Sequence, residues 1–202
     1  MAQTPPSLNL PTAVSGILSV TLDGPAVYSC ALSDVPSGFA LENQAYGVWS
    51  SNPTGAVPGQ VTDSLGILVN PGGVANYSIY SSYDGNLPTD GTAGNPGGGF
   101  SQVQEMQLVN YVLNFPKGKN GTLPTTLGEL QGVIWQLLNP SQFVIGSFSD
   151  NGLALYNDAL INGLGFVPQA GQKIAVVMAG QTPGNSPQPF ASAIVAVQVP
   201  SS

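Results

Sequence analysis

Residues Gly128 to Asn139 read GELQGVIWQLLN, and this stretch decides how the middle of the chain is built. Leu127, Gln131, Ile134 and Leu138 stand four, three and four apart, so they share one stripe of a helix. Thr126 and Glu129 stand three apart just ahead of the apolar run, the spacing of a capping box. Pro140 sets the other limit, because the residue before a proline disfavours helical backbone. The stripe has one polar member, Gln131. A buried amide needs partners for its oxygen and both its N–H bonds, and leaving one unmet costs about 1–3 kcal/mol.

Two further helices flank it. SQVQEMQLVNYVLNF places Val103, Met106, Val109 and Leu113 on one apolar face, and PKGKNG then breaks the pattern. LALYNDALING predicts a third helix starting near Ser149 or Asp150, with Leu153, Tyr156 and Leu160 as its buried side. Around this helical middle the chain reads as strands. SGILSVTL, AVYSCALSD, QAYGVWS, SLGILVN and VANYSIYSS precede it, and QKIAVVMAG and FASAIVAVQVP follow. In AVYSCALSD, period two puts Cys30 with Tyr28 and Leu32 on the more apolar face. NLPTDGTAGNPGGGF separates strands from helices and is a loop by composition; no internal repeat is present.

The order β, helices, β predicts a mainly β fold with an α insertion (α+β): a β-sandwich or barrel carrying a small helical subdomain. One domain spans 1–202, strand-rich over 10–85, with the insertion at about 101–164 and closing strands over 172–199. The length suits one well-cored domain.

Composition excludes much. Charged residues make up only 6% of the chain, and the formal net charge is −7. Lys117, Lys119 and Lys173 are the only side-chain cations, too few for a phosphate backbone or an anionic bilayer. No apolar run approaches a membrane span, so nucleic acid and membrane insertion are not expected. MAQTPPSLNLP lacks the features of a signal peptide, and AQTPPS has the look of a mature exported chain. The expected location is secreted or cell-surface, with leader and anchor outside this sequence. Asn76 and Asn120 fit the glycosylation pattern.

One cysteine makes no internal disulfide, and without histidine there is no ordinary zinc site and no His-based triad or dyad. No cofactor or metal is expected. Read singly, Cys30 is a small core hydrophobe and Gln131 a buried amide bonded to neighbouring backbone. Read together, they allow a reaction. A thiolate can attack a carboxamide carbon, expel ammonia and leave a thioester. Orientation in a fold is worth effective molarities of roughly 10⁵–10⁸ M, and donors aimed at the carbonyl oxygen assist.

The motif order resembles that of the bacterial surface thioester domains found on adhesins. It runs YSC on an early strand, VNYVLNFPKGKNG as a helix entering a loop, LQGVIW opening the next helix, and LALYNDAL in the third. The resemblance covers about Val27 to Leu164. Ser29 between Tyr28 and Cys30, and Gly132–Val133 ahead of Ile134, differ from the family pattern. The resemblance implies that Cys30 donates the sulfur and Gln131 the acyl group, with Tyr28, Ile134 and Trp135 in support. It also implies covalent capture of a lysine amine on a host or neighbouring surface through an isopeptide bond, once per molecule and without turnover.

Two other readings stand beside it. A non-covalent surface module could use Tyr46, Trp49, Tyr77, Tyr80 and Tyr83 as an aromatic platform, although such residues also fill β cores. A glycosidase would need paired carboxylates, for which Asp84, Asp90, Glu105 and Glu129 are scattered candidates. Asp84 and Asp90 could also hold Ca²⁺ in their loop, without EF-hand spacing.

Overall fold

A computed structural model describes residues 4–11, 13–16, 18–22, 28–32, 45–50, 75–84, 87, 100–138, 149–181 and 192–201. The expected strand SLGILVN and most of the 86–100 loop, including Asp90, lie outside the described residues. Among these residues there are seven strands and three helices, in the order β1 (Ala13–Gly16), β2 (Leu18–Leu22), β3 (Tyr28–Leu32), β4 (Ala45–Ser50), β5 (Ala75–Ser81), α1 (Gln102–Asn114), α2 (Leu127–Leu138), α3 (Asp150–Asn162), β6 (Lys173–Gln181) and β7 (Ser192–Gln198). The closing strands pair with early ones, β6 with β5 and β7 with β4.

All seven strands join one antiparallel sheet in the order β1-β5-β6-β7-β4-β3-β2. β1 and β2 therefore stand at opposite ends of the ladder, although one position separates Gly16 from Leu18. Two peptide links reach about 7 Å at most, whereas six strand spacings would hold the edges of a flat sheet about 29 Å apart. The sheet must be rolled until its edges approach. The stretch 13–22 is the seam, pairing with β5 in its first half and with β3 in its second. A mixed α+β fold is thus observed. The described strands make one rolled, barrel-like antiparallel sheet.

Register separates the two faces. Ala175, Val177, Ile194 and the half-buried Tyr80 and Ala196 pack with the helices in one core cluster. Ile79, Ile174, Val176, Val195 and Val197 are buried but belong to the opposite set of alternating positions, which lines the inside of the roll. Followed through the pairings in either direction, alternation assigns positions 14, 16, 18, 20 and 22 to that same set. These are Val, Gly, Leu, Val and Leu, while Ala13, Ser15, Ser19 and Thr21 alternate with them. Agreement from both directions is what a closed register demands.

The helices lie on the outer face. α1 packs on β6, α2 and α3, and α2 also packs on β4. Ser101 caps α1 in a reciprocal box with Gln104. For α2, the Thr126 N–H donates to Glu129 Oε2 at 2.6 Å and the Glu129 N–H to Thr126 Oγ1 at 3.2 Å, as the sequence spacing predicts. Ser149 caps α3 through the Gly152 N–H. The buried side of α3 is Gly152, Leu155 and Ala159, whereas Leu153 of the predicted face is exposed and Tyr156 and Leu160 are only partly covered. The apolar stripe was displaced because Leu155 and Ala159 form an equally regular pair four apart.

Candidate functional site

Cys30 is the central residue of β3, opposite Val20 on one side and Tyr46 on the other. The side chains of Tyr28 and Cys30 lie outside the described residues. In backbone register, position 30 belongs with Tyr46, Val48 and Val195 in the set that lines the roll. Ser29 falls with Gly47, Trp49 and Ile194 in the set under the helices.

Gln131 sits in the second turn of α2, 1% exposed and partnered. Its helix is enclosed on almost every side. Leu130, Val133, Ile134, Leu137 and Leu138 are all buried in the helical core, Gly132 is buried beside them, and Trp135 is half-buried. Such uniform burial means that a polar residue anywhere on α2 must be satisfied internally. Gln136 meets this in part: its amide N–H donates to the Tyr156 hydroxyl of α3, while its Oε1 is buried with no hydrogen-bond partner. Burial raises the pKa of that hydroxyl and the Gln136 bond opposes the rise. The structure brings the two sequence-predicted residues to neighbouring elements: α2 packs on β4, and β4 is the strand beside β3.

The other candidates separate. Tyr80 packs against the helical core, and the Tyr83 hydroxyl donates to the Phe166 carbonyl at 2.7 Å. Burial pushes the Tyr83 pKa up to about 12, against a smaller lowering from Asn110. Tyr46, Trp49 and Tyr77 are described as backbone alone. Asp84 closes a turn by accepting the Ser81 N–H at 2.7 Å. Glu129 accepts from Thr126 and from the Ser149 hydroxyl, which ties the starts of α2 and α3 together. The Ser149 bond is the larger of the influences that hold its carboxyl below the usual range. Glu105 is buried on α1 with no hydrogen-bond partner at either oxygen. These three carboxylates thus have separate settings, and no metal-binding group of three or more acidic or sulfur ligands occurs among the described residues.

The sequence reading missed Asn110 and Asn114. β6 runs past the end of β5 at Val176, and these two amides of α1 serve its unpaired backbone. Asn110 accepts the Ala175 N–H at 2.6 Å and donates to Ser82 Oγ at 3.0 Å. Asn114 accepts the Lys173 N–H at 2.8 Å and donates to the Lys173 carbonyl at 2.7 Å. Asn110 among Leu108, Val109, Tyr111, Val112 and Leu113, with a second asparagine four places on, was the available signal.

No known family matches the chain, and no curated protein is similar to it. Among solved structures it is similar to the N-terminal domain of the Streptococcus pyogenes pilus tip adhesin Cpa. The TM-score is 0.50 with 14% identity, over 98% of this chain and 100% of that one. The likeness is one of fold. No helix among the described residues is long and apolar enough to cross a membrane.

Proposed function

We propose that this chain is an adhesin-type surface domain that captures a protein amine through an internal thioester between Cys30 and Gln131. One observation supports it above the rest: the helix carrying a buried glutamine packs on the strand next to the lone cysteine. The fold likeness to a pilus tip adhesin domain agrees with a surface role. In the first step the thiolate attacks Gln131 Cδ and ammonia leaves, its extra proton coming from the thiol. In the second, a lysine amine attacks the same carbon, the sulfur departs as a thiol, and an isopeptide bond remains. The reaction consumes its own reactive group, so each molecule acts once. The pair is 101 positions apart in the chain. By analogy with a disulfide, closing that loop stabilises by roughly 4–5 kcal/mol.

The register imposes a condition on this chemistry. Position 30 lies in the set that lines the roll, and α2 lies outside it. Bonding therefore requires α2 to reach over the rim beside β4, or β3 to slip by one residue, which exchanges all its positions between faces. A second reading draws on the same alternation: a non-covalent surface module in which Cys30 is a lining residue. Intact mass separates the two. The thioester form is lighter than the sequence by one ammonia, and Cys30→Ala restores the full mass for its composition. A full-mass wild-type protein supports the non-covalent module.

A further inference from the structure

Glu105 occupies the first turn of α1, where its backbone N–H donates to the Ser101 carbonyl at 2.9 Å. Its side chain is 1% exposed, and neither carboxyl oxygen has a hydrogen-bond partner. A carboxyl in that setting is tolerable as the neutral acid and costly as the anion. The elements packed on α1 are β6, α2 and α3, and their described charged or titratable groups are committed elsewhere. Glu129 of α2 accepts from Ser149 and Thr126. Asp158 of α3 accepts the Tyr111 hydroxyl and the Lys119 N–H, and Tyr156 meets Gln136. Asp150 and Lys173 are exposed. None of these bonds to Glu105. The start of a helix favours an anion, but burial opposes it and prevails, pushing the Glu105 pKa up to about 7.

We infer that Glu105 is a proton-operated latch of the helical layer: as the neutral acid it permits the close packing of α1 against α2, α3 and β6, and when it ionises that packing loosens. The inference does not rest on the thioester reading. Because the folded-state pKa is raised, its contribution is greatest below the ordinary carboxyl range near 4.5. That contribution falls as pH rises through about 7 and is constant beyond. The layer that encloses Gln131 is then tightest in mild acid and opens more often at neutral to alkaline pH.

The test uses the whole chain. With ¹³C-labelled glutamate, the Glu105 carboxyl resonance is followed against pH. A midpoint near 7 supports the latch, and a midpoint near 4.5 overturns it. Amide exchange in α1 and α2, corrected for its intrinsic pH dependence, is compared between pH 5 and 8. The opening constant of the wild type rises by roughly tenfold or more, and that of Glu105→Gln stays flat. An equal rise in both proteins overturns the inference. If the glutamine variant does not fold, the wild-type protein decides: a midpoint near 7 with a matching rise in the opening constant supports the inference, and opening constants that do not change across the titration overturn it.

Discussion

Asn110 of α1 accepts the backbone N–H of Ala175 at 2.6 Å, where β6 has outrun β5 and has no strand on that edge, its other edge being paired with β7. A side-chain amide stands in for the missing ladder, with Asn114 repeating the device one turn later. The helix is thereby fixed to the sheet by backbone recognition as well as by apolar packing. This sets where the helical layer sits against the rolled sheet.

Replacing Asn110 with leucine leaves the Ala175 N–H buried and unmet. Urea unfolding should show a loss of about 1–3 kcal/mol. Asn114→Ala, at a more exposed position, should cost less than Asn110→Leu, about 1 kcal/mol or under.

Gly163 ends α3 in a tight place. A Cβ built there would stand 2.7 Å from the Ala159 carbonyl oxygen, 3.0 Å from Leu108 Cδ2 and 3.1 Å from Tyr111 Cβ. Two of these neighbours belong to α1, so the missing side chain is what lets α3 close on it. Gly163→Ala should lower stability by about 1–3 kcal/mol, read as a shifted urea midpoint with unchanged slope.

The carboxyl of Glu129 is held below its usual pKa, chiefly by the Ser149 hydroxyl and then by the Thr126 N–H. A depressed folded-state pKa contributes stability above the ordinary carboxyl range and loses it as pH falls through the folded value. Glu129→Gln should therefore flatten part of the acid limb of a thermal melting profile. Thr126→Ala removes the other half of the box and should cost about 0.5–2 kcal/mol at neutral pH.

Much of the architecture was legible because it is written in local pattern. The strand runs at 28–32, 45–50, 75–81, 173–181 and 192–198 carry β-branched or aromatic alternation, and α2 has both its stripe and its capping box. What pattern could not reach was non-local. Nothing in SGILSVTL says that it divides between two partners at opposite ends of the ladder, because that follows from closure and not from propensity. The burial of Leu155 and Ala159 in place of Leu153 depends on where α1 and α2 lie. Gln131 stood out as a polar residue on an apolar stripe, and it is buried. Glu105 did not announce its burial, because a charged residue one place from an apolar stripe usually reaches solvent.

The most direct test of the account is the intact mass of the purified chain before and after exposure to methylamine. The account predicts a starting mass one ammonia below that of the sequence. Methylamine should then add at Gln131 and release a titratable thiol at Cys30. A starting mass equal to the sequence, a free Cys30 thiol and no methylamine uptake would contradict it.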